Sequence, residues 1–186
     1  MCYYITATLP DKVKNEAFGQ VFDKFDMAFD PINNAHIKSQ LREEQYFRAT
    51  KAYCDCDTVL GILSTSQRQA ALMDSKKVKK LRKKGWTEEE IENWAKDKIA
   101  KKKKKVRKNL WPEMINKLAT HWIDFIREMF NTGKITRLGL LKHWYSIGLE
   151  SEEIVIKETK KVNIQDISVD MLTHLDEDIL YEFFNK

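Results

Sequence analysis

The chain has 186 residues, 42% of them hydrophobic and 11% aromatic, which is enough for a real core and excludes disorder throughout. Charged residues reach 33%, with 33 Lys/Arg against 28 Asp/Glu for a net +5, so a locally solvated arm is expected on one ordinary domain. No apolar run approaches the ~18–20 residues of a membrane span, the first residues lack the pattern of a signal peptide, and three cysteines, an odd number, suit a reducing cytoplasm.

Tyr3 to Leu9 is rich in β-formers and is stopped by Pro10, so it reads as a strand. Asp11 is placed to cap a helix in which Val13, Phe18, Val21, Phe22, Phe25 and Phe29 recur at near-helical spacing, ending before Asp30-Pro31. Asn33-Asn34 marks a loop, residues 36 to 45 are ambiguous, and Tyr46 to Tyr53 reads as a second strand.

That strand leads into Cys54-Asp55-Cys56-Asp57-Thr58-Val59-Leu60-Gly61. At strand spacing Cys54 and Cys56 share a face, and Cys2 on a neighbouring strand is a third soft ligand. Zinc normally takes four ligands, and the fourth would have to be His36 or another distant histidine. The favoured reading is therefore small buried thiols with no metal and no cofactor. Met1-Cys2 with this later run resembles a C-D-C-G-T-x-L-G pattern of uncharacterised small bacterial proteins, with Asp57 in place of the glycine. The resemblance covers the first third of the chain. It implies a bacterial or phage-borne origin and no particular activity.

Ser64, Thr65 and Ser66 offer caps for a helix whose apolar positions, Ala70, Ala71, Val78 and Leu81, are few. Lys84-Gly85-Trp86-Thr87-Glu88-Glu89-Glu90-Ile91 then ends one helix and starts another. Gly85 suits a left-handed stop, Thr87 and Glu90 make a capping box, and Trp86 and Ile91 make a hydrophobic staple. The result is an αα-hairpin whose second arm carries Ile91, Trp94, Ala95 and Ile99. From Lys76 to Lys108 sixteen Lys/Arg face five Asp/Glu, a net +11, so the rest of the chain sums to −6.

Pro112 suits the first turn of a core helix bearing Met114, Ile115, Leu118, Trp122, Phe125, Ile126, Met129 and Phe130, stopped by Gly133. Lys134 to Ile147 and Glu153 to Ile164 read as a β-hairpin turning at 148–151, with Ile154, Ile156 and Val162 inward. Ser168 caps a last helix holding Met171, Leu172, Leu175, Ile179, Leu180, Phe183 and Phe184. The expected fold is α+β: a small, largely antiparallel sheet of about four strands packed with helices. Residues 1–63 and 109–186 form the globular domain, and 64–108 form an inserted, protruding lysine-rich helical hairpin.

No P-loop, G-x-G-x-x-G, G-x-S-x-G or H-E-x-x-H occurs. His36, His121, His143 and His174 stand singly, with no base–orienter pair visible. Metal-binding carboxylates of a nuclease could sit among Glu150, Glu152, Glu153, Asp166, Asp170, Asp176, Glu177 and Asp178, but no spacing selects a pair. The basic hairpin is the stronger lead. Lys76, Lys77, Lys79, Lys80, Arg82, Lys83 and Lys84 on one arm, with Lys101, Lys102, Lys103, Lys104, Lys105, Arg107 and Lys108 on the other, supply cations for a polyanion. Trp86 at the tip is a candidate base-stacking residue. The expected function is RNA or DNA backbone binding of low sequence specificity. The alternatives are an interaction or inhibitor protein docking on a nucleic-acid-handling complex, and a metal-dependent nuclease.

Overall fold

The computed structural model describes residues 2–41, 43–56, 58–61, 72–73, 75–109 and 112–185, with the backbone alone for 102–109. In chain order the elements are β1 (Cys2–Pro10), α1 (Gly19–Phe25), β2 (Asp30–Pro31), α2 (Ala35–Gln40), β3 (Glu44–Arg48), α3 (Lys76–Lys83), α4 (Glu88–Asn109), α5 (Pro112–Asn131), β4 (Arg137–Tyr145), β5 (Glu158–Asn163), α6 (Val169–Thr173) and β6 (Ile179–Phe184). The chain divides into two compact units, Met1–Ile62 with Asn116–Lys186, and Leu63–Ile115.

The first unit is α+β, built on a mixed six-stranded sheet in the order β2-β3-β1-β4-β6-β5. The four expected strands are thus six among the described residues, and the β5–β6 pair is parallel. The expected hairpin of residues 134–164 does not form, because β6 takes the place beside β4 (Leu140↔Tyr181) and β5 pairs only with β6. The expected last helix stops at Thr173, and Ile179–Phe184 is a strand. An interior strand is covered on both faces, so its apolar residues run continuously instead of alternating, and such a run is easily read as helix.

Two further corrections concern the first fifty residues. Asp11 is not the helix cap: a 3-10 turn at Asn15–Phe18, with Lys14 at its cap position, precedes the shorter α1, whose cap position is Phe18. The ambiguous stretch contains α2, capped by Asn34 Oδ1 accepting from the Ile37 amide at 3.0 Å. The second strand occupies Glu44–Arg48, not 46–53. The first-arm residues Ser64, Thr65, Ser66, Ala70 and Ala71 lie outside the described residues.

Alternation along β1 divides the core. Tyr3, Ile5, Ala7 and Leu9 point to one face, where the aromatics of α1 and α5 gather with Phe47. Phe125 is fully buried there, with the rings of Phe25 at 5.7 Å, Trp122 at 5.8 Å and Phe29 at 5.9 Å. Burying a ring of that size stabilises by roughly 1.5–3 kcal/mol. On the opposite face Ile32, Ile37, Tyr46, Leu141, Tyr145, Ile154 and Leu180 form a second cluster. Ile154 is buried although it lies outside the strands.

Candidate nucleic-acid interface

The second unit contains the expected helical turn, built from local rules. Gly85 takes φ +84°, and the amides of Gly85 and Trp86 donate to Arg82 O and Leu81 O at 3.0 and 3.2 Å. That pair of bonds is a Schellman stop. Two residues later the Thr87 amide donates to Glu90 Oε2 at 2.8 Å and the Glu90 amide to Thr87 Oγ1 at 3.2 Å, which is the reciprocal capping box. Arg82 clamps Glu88 across the turn through Nε and Nη2 at 2.7 and 3.0 Å. The arms are unequal, eight residues for α3 and 22 for α4. They pack together, and Val78, Ile91, Ala95 and Ile99 are buried. Ile91, Ala95 and Ile99 recur every four residues, so α4 has one narrow apolar stripe.

Lys76, Lys77, Lys79, Lys80, Arg82, Lys83, Lys84 and Lys101 are all exposed. Charge along α4 is graded: Glu88, Glu89 and Glu90 fill its first turn, and no acid follows Asp97. Acids at the N-terminus and cations at the C-terminus suit the helix dipole. Glu92 and Asp97 pair with Lys96 and Lys101 at 3.7 and 2.7 Å. Lys102, Lys103, Lys104, Lys105, Arg107 and Lys108 continue the same helical backbone; their side chains lie outside the described residues.

Trp86 is 39% exposed, leaving part of its ring at the turn open. Trp94, grouped with the apolar residues of the second arm, is half-buried with Lys98 Nζ 4.7 Å and Lys77 Nζ 5.3 Å from its ring centre. The four-residue spacing of Trp94 and Lys98 was the available signal.

The three cysteines meet. Their Sγ atoms lie within 4.8 Å of one another, each half-buried, and no other His, Cys, Asp or Glu joins the group among the described residues. Cys54 and Cys56 sit in a loop and not on the expected strand, but they flank Asp55, which turns inward and is fully buried. Asp55 Oδ2 accepts from the Ile5 amide at 2.8 Å and from Thr50 Oγ1 at 3.2 Å. Burial raises the Asp55 carboxyl above the usual range against those donors. Burial also pushes the Cys56 thiol up to about 11, opposed by the Tyr3 amide and helped by Cys54 and Cys2. His36, weighed as a fourth ligand, is exposed at the start of α2, outside the group.

No protein-family model, curated protein or solved structure matches this chain.

Several of the remaining candidates are engaged in structural contacts. His143 does have an orienting partner, with Nδ1 2.5 Å from Asp178 Oδ1, and Lys157 Nζ takes the other carboxylate oxygen at 2.7 Å. His121 Nε2 lies 2.9 Å from Phe25 O, and His174 Nδ1 lies 2.8 Å from Asp170 O. Asp176 pairs with Lys160 at 3.1 Å, and Glu152 accepts the amides of Ser146 and Ile147 at 2.8 Å. A separate open cleft of about 510 Å³ has Glu44, Arg137, Glu182 and Lys161 in its wall, with Glu44 paired to Arg137. Glu44 is raised by burial, which outweighs that pairing. Among the described residues no candidate nuclease carboxylate belongs to a group of three or more possible metal ligands.

Proposed function

We propose that this protein binds the backbone of RNA or DNA through its lysine-rich helical hairpin, with low sequence specificity. The observation that carries the reading is charge density: +11 over Lys76–Lys108 against −6 elsewhere in the same chain. Exposure of the described lysines and arginines of that segment supports it. Lysines outnumber arginines fourteen to two there, which favours point-charge contacts with phosphates over bidentate reading of base edges. Trp86, part-open at the turn, adds a surface on which an unpaired base can stack.

The test is fluorescence anisotropy with labelled single- and double-stranded RNA and DNA across a salt series. Wild type is compared with a variant carrying glutamine at Lys101 to Lys105. The expected result is affinity that falls linearly in log–log with salt. The slope should flatten in the variant by about 0.9 for each duplex phosphate that is no longer neutralised. Absence of binding at low salt overturns the reading and favours docking on a protein complex. Cleavage of the probe that a chelator stops favours a nuclease.

A further inference from the structure

We propose that Cys2, Cys54 and Cys56 form a binding site for a thiophilic divalent cation of the zinc class, held by three protein thiolates with a fourth position open to an outside ligand. The ligand atoms come from segments some fifty positions apart, yet all three Sγ lie within 4.8 Å of one another. Tetrahedral zinc with Zn–S bonds of ~2.3 Å sets its sulfurs ~3.8 Å apart, so the cluster needs to contract by about an ångström at most. Rotation of side chains supplies that, and the loop backbone can stay where it is.

The loop backbone is fastened to β1. The Asp55 amide donates to Tyr3 O at 2.8 Å, the Ile5 amide to the Asp55 carboxyl at 2.8 Å, and the Tyr3 amide to Cys56 Sγ at 3.3 Å. The N–H aimed at the Cys56 sulfur fixes where that sulfur sits, and such outer contacts hold ligands in place. Gly61 closes over the loop so tightly that a Cβ there would lie 1.8 Å from Asp55 O. The two cysteines therefore present their sulfurs beside Cys2 from a pinned loop.

Three thiols are one too many for a disulfide and match the count of protein ligands in an open zinc site. An all-sulfur set selects zinc-class and other soft ions against magnesium and calcium, which take oxygen. Half-burial of all three residues gives the ion a way in and leaves a side for the outside ligand. Each thiol that ligates gives up its proton to solvent as its sulfur–metal bond forms, and nothing is oxidised or reduced.

The full chain, reduced and stripped with a chelator, is titrated with Zn(II) and separately with Co(II). The expected result is one ion per chain by native mass spectrometry and a sulfur-to-cobalt charge-transfer band. Cys2→Ser and Cys54→Ser each weaken zinc binding by more than the ~100-fold that bounds the effect of removing an outer contact. A readout independent of any variant is protection: zinc slows alkylation of all three wild-type thiols together. Absence of binding, or binding that survives replacement of all three cysteines, overturns the site. So does alkylation indifferent to zinc. None of these outcomes bears on nucleic-acid binding.

Discussion

Tyr46, buried on the face of the sheet opposite Phe125, shows how one proton orders three hydroxyls. Thr6 Oγ1 donates to Leu141 O at 3.1 Å, so the 2.7 Å bond between Thr6 and Tyr46 must be donated by the tyrosine. The 2.6 Å bond between the two phenols is then donated by Tyr145. Burial pushes the Tyr46 phenol up to about 12, against the two hydrogen bonds, and raises Tyr145 as well. Removing the middle of this relay strands a buried donor. Tyr46→Phe therefore costs about 1–3 kcal/mol in urea denaturation, whereas Tyr145→Phe, which removes only the first donor, costs about 1 kcal/mol. Asp178 is a second case. Its burial raises the carboxyl, but hydrogen bonds from His143 and Lys157 outweigh that and hold it below the ordinary range. A carboxyl lowered in the folded state contributes stability that is present above ~3.9 and lost as pH falls through the folded value. Asp178→Asn preserves the left-handed backbone at φ 63°, which asparagine tolerates. The variant is expected to be less stable near neutral pH, and its deficit should shrink as pH drops below ~4. A constant deficit across that range would assign the effect to shape and not to charge.

At the scale of elements, the turn between α3 and α4 rests on bonds confined to residues 80–91. Thr87→Ala removes the acceptor of the Glu90 amide and opens the box, at a cost of about 1 kcal/mol. The check is faster hydrogen exchange at the Glu90 amide with the sheet amides unchanged. Because every donor and acceptor of that turn lies within a dozen residues, it was legible in the sequence. So were β1, rich in β-formers and closed by Pro10, and α5, whose apolar residues recur at helical spacing. The strand β6 was not, since Ile179, Leu180, Tyr181 and Phe183 are buried on both faces and carry no alternation. Its place between β4 and β5, and hence the parallel pair, depends on partners about 40 and 20 positions away in the chain. The thiol cluster was half legible. Cys54-x-Cys56 was visible as a pair, but the convergence of Cys2 depends on the Asp55 tether to β1, and a buried aspartate inside a loop leaves no periodic trace.

At the scale of the whole molecule, charge is sorted along the chain, with +11 over Lys76–Lys108 and −6 in the remainder. Within the basic segment the sorting repeats. Near the turn Arg82 is held by Glu88, with Glu89 and Glu90 next in the chain, while beyond Asp97, which pairs with Lys101, α4 carries cations and no acid. Neutralising Lys101 to Lys105 should therefore weaken polyanion binding more than neutralising five of the cations between Lys76 and Lys84. The same anisotropy series reads the difference, and an equal weakening would mean that the acids at the turn do not screen their neighbours.

The strand β1 begins at the second residue and pairs with β3 on one side and β4 on the other. Arg48 at the end of β3 and Arg137 at the start of β4 are 89 positions apart. A ribosome adding about 5–20 residues per second needs ~5–20 s to cross that gap. A β1–β3 pair formed in that interval would leave the other edge of β1 without its partner β4, the condition in which β-structure pairs with the wrong neighbour. The charged segment of 33 residues, Lys76–Lys108, is translated inside that same interval, so a stretch of mutually repelling charge is being added during the seconds in which β1 still waits for its second partner.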